Sequence, residues 1–85
     1  MAIHEGRVAY AGLFTGFGQL VIVDHGALAY SLYGYLSSIA VIKGQRVARG
    51  QPIGTLGRSP AGNSALYFEL RIDAKGRLVV LVDDT

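Results

Sequence analysis

The sequence predicts a small all-β domain, an antiparallel sandwich or partly open barrel of about seven short strands. Three observations carry this expectation. Twelve glycines and two prolines are spread along the 85 residues rather than clustered, as tight turns between short strands require. The stretches between them are apolar and of strand length. No segment reads as a helix. With 51% apolar residues the chain can bury one modest core, and its length excludes a second, so residues 1–85 are read as one domain.

Turn chemistry divides the chain at Gly6, Gly12, Gly16 to Gly18, Gly26, Gly44, Gly50 to Pro52, Gly57 to Asn63 and Gly76. Strands are therefore expected at 7–11, 19–25, 28–36, 46–48, 53–56, 65–72 and 77–82. Within the second, Leu20-Val21-Ile22-Val23 is apolar without alternation, as in a strand covered on both faces, and is read as central. Gly16-Phe17-Gly18 lacks the strand-to-helix context of a phosphate loop and is read as a hairpin.

Two strands alternate and hold the candidate site. In Tyr30-Ser31-Leu32-Tyr33-Gly34-Tyr35-Leu36, a period of two sets Tyr30, Leu32 and Leu36 against Ser31, Tyr33 and Tyr35. In Ala65-Leu66-Tyr67-Phe68-Glu69-Leu70-Arg71-Ile72 it buries Leu66, Phe68, Leu70 and Ile72 and leaves Ala65, Tyr67, Glu69 and Arg71 opposite. If the strands are neighbours, Tyr33, Tyr35, Tyr67, Glu69 and Arg71 form one open surface. Rigid aromatic rings beside a guanidinium are the chemistry of binding hot spots. Periodicity alone leaves open a plain solvated sheet face.

Composition narrows the partners. The net charge of +2 comes from scattered Lys and Arg, which argues against nucleic acid. Without cysteine there is no disulfide, thiolate metal site or cysteine nucleophile. The start, Met1-Ala2-Ile3-His4-Glu5-Gly6, carries neither a signal peptide nor a membrane span, and its abruptness before a strand reads as a fragment whose parent could hold export information upstream. His25 ends a strand at a glycine turn and His4 lies in the start, so no shared metal site is expected. The serines of Ser59-Pro60-Ala61-Gly62-Asn63-Ser64 have no positioned base and read as turn residues.

Four ordered motifs, Ser31-Leu32-Tyr33-Gly34-Tyr35-Leu36, Val41-Ile42-Lys43-Gly44-Gln45-Arg46-Val47, Gly50-Gln51-Pro52-Ile53-Gly54 and Leu66-Tyr67-Phe68-Glu69, resemble the LytM-like (lysostaphin-type) metallopeptidase domain. Gly6 to Gly12 and Gly18 to Gly26 extend the resemblance, which covers about residues 4–72. Active members carry Tyr-x-His-Leu and His-x-His-Phe-Glu motifs. Here the first motif's histidine falls at Tyr35, and the two histidines of the second fall at Ala65 and Tyr67. A catalytic zinc needs about three protein ligands, so the resemblance implies neither a metal, another cofactor nor peptidase activity. The substitutions resemble the degenerate EnvC-like murein hydrolase activators, in which the vestigial groove docks and switches on a cell-wall amidase. That implies Tyr33, Tyr35, Tyr67 and Arg71 as partner contacts beside Glu69, with Tyr35, Ala65 and Tyr67 as vestigial catalytic positions. It also implies a periplasmic or cell-envelope parent, and leaves peptidoglycan itself open as a further partner.

Two other readings stand beside this one. A Val-x-x-Gly pattern resembles biotinyl and lipoyl carriers, but neither Lys43 nor Lys75 lies in a carrier motif. Residues 76–85 depart from the family: Leu78-Val79-Val80-Leu81-Val82 is a β-prone apolar run before Asp83-Asp84-Thr85. The foreign tail suggests an engineered or chimeric self-assembling module. Its strand is expected either to fill a place in the sheet within the chain or to pair with a second copy as a homodimer.

Overall fold

The structure is a computed structural model, and it describes residues 2, 4–58, 64–72 and 76–83. It contains seven strands: β1 (Gly6–Phe14), β2 (Gly18–Gly26), β3 (Ala29–Ile39), β4 (Arg46–Val47), β5 (Gly54–Arg58), β6 (Ser64–Ile72) and β7 (Gly76–Asp83). Every expected strand is present, most of them longer than the turn residues suggested. The turn residues 59–63, Lys75 and the terminal Asp84 and Thr85 lie outside the described residues.

All pairings are antiparallel and join one sheet in the order β4-β1-β2-β3-β5-β6-β7. The sheet is not closed: it runs from β4 at one edge to β7 at the other. This is the partly open form of the expected architecture. β2 lies between β1 and β3, as its unbroken apolar run requires, with Leu20, Val21 and Val23 all buried.

One feature of β3 sets the positions of the site residues. Its first half, Ala29 to Gly34, pairs with β6, and its second half, Leu36 to Ile39, pairs with β5. The exchange of neighbours falls at Tyr35, whose φ is 62°, in the left-handed region that a bulky side chain rarely enters. On the other side of β3 the register against β2 also shifts between the Leu36 and Tyr33 pairings, so Tyr35 is the extra residue of a bulge.

The main core cluster lies on one face. Val8, Val21, Val23, Tyr33 and Leu36 cover it, and Val41, Val47 and Ile53 close it from the segment between β3 and β5. That segment is fastened by Ala40 N–H donating to Ile53 O (2.9 Å), Gly44 N–H to Val8 O (2.8 Å) and Val8 N–H to Gln45 O (2.8 Å). Phe68 and Leu66 pack against this core from β6.

β7 settles part of the expectation for the tail. It pairs with β6 from Ile72↔Gly76 to Ala65↔Asp83, so within the chain it takes a place at the sheet edge.

Candidate functional site

Pairing decides which side chains share a face, because directly opposed residues of antiparallel strands point to the same side. Between β3 and β6 the opposed pairs are Tyr30 and Arg71, Leu32 and Glu69, and Gly34 and Tyr67. Ser31 opposes Leu70, and Tyr33 opposes Phe68. Tyr67, Glu69 and Arg71 therefore do share one face, as alternation predicted for β6. Tyr33 is not on it. The expected open position of Tyr33 is corrected: its ring is 2% exposed, lies 5.5 Å from that of Phe68, and its hydroxyl accepts a hydrogen bond from the buried Ser31 (2.8 Å).

Strict alternation, which sets Tyr35 on the same face as Tyr33, would place it in the core as well. The bulge reverses the parity after Gly34, sending Leu36 into the core and Tyr35 to the Tyr67 face. The Tyr35 and Tyr67 rings sit edge to face with centroids 6.1 Å apart. Tyr35 and Tyr67, two of the positions expected to be vestigial, are thus neighbours, while the third, Ala65, is buried.

Phe17 completes the cluster and was not expected. It stands in the turn between β1 and β2, its carbonyl accepting from Tyr35 N–H (2.7 Å), and its ring lies 4.9 Å from that of Tyr67. Gly34 makes this approach possible: a Cβ there would lie 3.2 Å from the Tyr67 Cβ and 3.3 Å from the Phe17 ring. The row continues through Phe14 (6.0 Å from Phe17) to Tyr10 (5.9 Å from Phe14). Tyr10 reaches this face through a second bulge, at Ala9, that opposes it to Ile22. The available signal for Phe17 was an aromatic between two turn glycines.

Glu69 is the second correction. It was read as part of an open surface, yet it is 2% exposed, beneath the side chains that flank it. Tyr67 Oη donates to its Oε1 (2.7 Å), and Arg71 donates to its Oε2 through Nε (2.9 Å) and Nη2 (2.6 Å). A buried carboxylate is tolerated only when paired and hydrogen-bonded, and here both oxygens are. These bonds hold the Tyr67 and Arg71 side chains in place. Arg71 is about half exposed and borders a cavity of about 300 Å³ with Tyr10, Ile22, Tyr30 and Leu32. A second cavity of about 450 Å³ lies beyond Tyr35, lined by Gly18, Ser37, Leu56 and Arg58.

A peptidase family M23 model matches residues 1–79. The chain belongs to peptidase family M23. Over 71 residues it is 46% identical to murein hydrolase activator EnvC of Escherichia coli K12, a match covering 82% of this chain and 17% of that protein. Over 76 residues it is 36% identical to murein hydrolase activator NlpD of the same organism, covering 88% of this chain and 20% of that one. This M23 domain thus spans a fifth or less of these relatives. The catalytic domain of the prophage-encoded M23 protein EnpA from Enterococcus faecalis superposes with a TM-score of 0.75 at 28% identity, over 93% of this chain and 62% of that one.

A zinc peptidase site needs imidazole or carboxylate ligands, and Tyr35, Ala65 and Tyr67 offer none. Among the described residues no three His, Cys, Asp or Glu side chains are grouped to hold a metal ion. His25 lies elsewhere, one ring nitrogen 2.9 Å from Glu5 O and the other 2.7 Å from Ser31 Oγ; His4 meets it edge to face at 5.9 Å. Both nitrogens of His25 are engaged in holding the chain start to the core.

Proposed function

We propose that this M23 domain is a non-catalytic activator that docks a peptidoglycan amidase on the face bearing Tyr35, Tyr67 and Arg71. The carrying observation is the Tyr35–Tyr67 pair of adjoining aromatic rings, which the motif resemblance sets where active relatives would carry histidines. An aromatic pair with a guanidinium fixed by a buried carboxylate binds protein surfaces and has no means of activating water. Two relatives named murein hydrolase activators support the reading, as does the family's cell-wall chemistry. The natural setting is accordingly the cell envelope, where an amidase and peptidoglycan meet.

The test is hydrolysis of purified cell-wall sacculi in the presence of zinc. The chain alone is expected to release nothing, while an autoinhibited zinc amidase releases stem peptides faster when the chain is added. Zinc-dependent cleavage by the chain alone would overturn the proposal.

A further inference from the structure

β7 (Gly76–Asp83) is the outermost strand at one edge of the sheet. One side pairs with β6; among the described residues no strand pairs with the other. Exposed edges are ordinarily blunted by a bulge, a proline, an inward-pointing charge or short length. This one runs eight residues with no register shift against β6, and Gly76-Arg77-Leu78-Val79-Val80-Leu81-Val82-Asp83 contains neither proline nor lysine. Its two charged residues stand at its ends, and they are placed symmetrically about Val80 with opposite signs.

That symmetry names the occupant. We propose that β7 pairs antiparallel with β7 of a second copy, about a two-fold axis through Val80. Arg77 then opposes Asp83 at both ends, Leu78 opposes Val82, Val79 opposes Leu81, and the apolar centre meets only apolar residues. Parallel pairing in register would instead oppose Arg77 to Arg77 and Asp83 to Asp83. Shifting the antiparallel register by two residues leaves Arg77 opposite either Leu81 or Thr85. The interface is isologous and closes on itself, so association stops at the dimer.

The axis stands perpendicular to the sheet, because opposed residues of an antiparallel pair share a face. Both copies of the Tyr67 face consequently lie on the same side of one continuous sheet. Val79 and Leu81 hold the register positions opposite Glu69 and Tyr67, so the new seam borders both faces. The dimer itself does not depend on the amidase reading; only its use as a platform for two partners does.

Size-exclusion chromatography with light scattering, across a concentration series, tests it. The expected mass is twice the 9.0 kDa of the chain. Arg77→Asp sets Asp against Asp83 of the partner subunit and is expected to raise the dimer dissociation constant about tenfold. It leaves the monomer folded, since residue 77 opposes Arg71 within the chain and the exchange replaces like charges by unlike ones. Adding Asp83→Arg restores the opposed pairs and the dimer. A 9.0 kDa species at every concentration, an open series of larger assemblies, or a single exchange that leaves the dimer unchanged would each overturn the proposal.

Discussion

Two tyrosines separated by one residue have opposite fates, and the difference lies in a single backbone angle. Tyr33 is in the core and Tyr35 on the aromatic face because Tyr35 holds a φ of 62°. A non-glycine residue held there costs on the order of 1 to 3 kcal/mol, which the surrounding pairing must offset. The face side of β6 is equally constrained. Arg71→Ala is expected to destabilise the domain by about 1 to 3 kcal/mol, because it removes the cation from the buried Glu69 carboxylate. The double change Arg71→Leu with Glu69→Leu should recover most of that loss, and urea titration of the three proteins measures it. Weakened binding by Arg71→Ala alone therefore cannot be assigned to a lost contact without the stability measurement beside it. On the core side, Phe68→Ala should cost about 3 to 5 kcal/mol by emptying the space against Tyr33, read as a lower denaturation midpoint.

At the scale of elements, alternation was legible in β6 and misleading in β3. In β6 the apolar parity is the core side for Leu66 and Phe68, which pack against the core, whereas Ile72, expected to be buried, is exposed at the strand end. In β3 both parities carry large, partly apolar residues, so a period of two could not tell inside from outside. Only the pairing with β2 and β6 decides it, and neither the bulge at Tyr35 nor that at Ala9 leaves a sequence signal such as a glycine at the bulged position. Glu69 was misplaced for a related reason: its burial depends on Tyr67 and Arg71 from its own strand folding over it. Glycines near the bulge hold its geometry. A Cβ at Gly57 would collide with the Tyr35 carbonyl, and Gly57→Ala should disturb the β3–β5 pairing and destabilise by about 1 to 3 kcal/mol. Gly34→Ala offers the complementary case: it crowds Tyr67 and Phe17 on the binding face. It should reduce amidase affinity about tenfold while costing no more than about 1 to 2 kcal/mol of stability, by calorimetry and thermal melting respectively.

For the whole molecule, the all-β class, the seven strands and the family were all legible, since turn residues punctuate the chain and four ordered motifs survive in it. The sheet brings Tyr35 from β3, Tyr67 from β6 and Phe17 from the β1–β2 turn together on one face, with the main core cluster on the other. The central claim is that this aromatic face, and not the edge or the far side, receives the amidase. Titration calorimetry of the amidase with the chain carrying Tyr67→Ala tests it most directly, with circular dichroism confirming the fold. The account predicts a dissociation constant raised about tenfold to a hundredfold, a loss of about 1 to 3 kcal/mol typical of a buried aromatic anchor. An unchanged dissociation constant with the fold intact would contradict it.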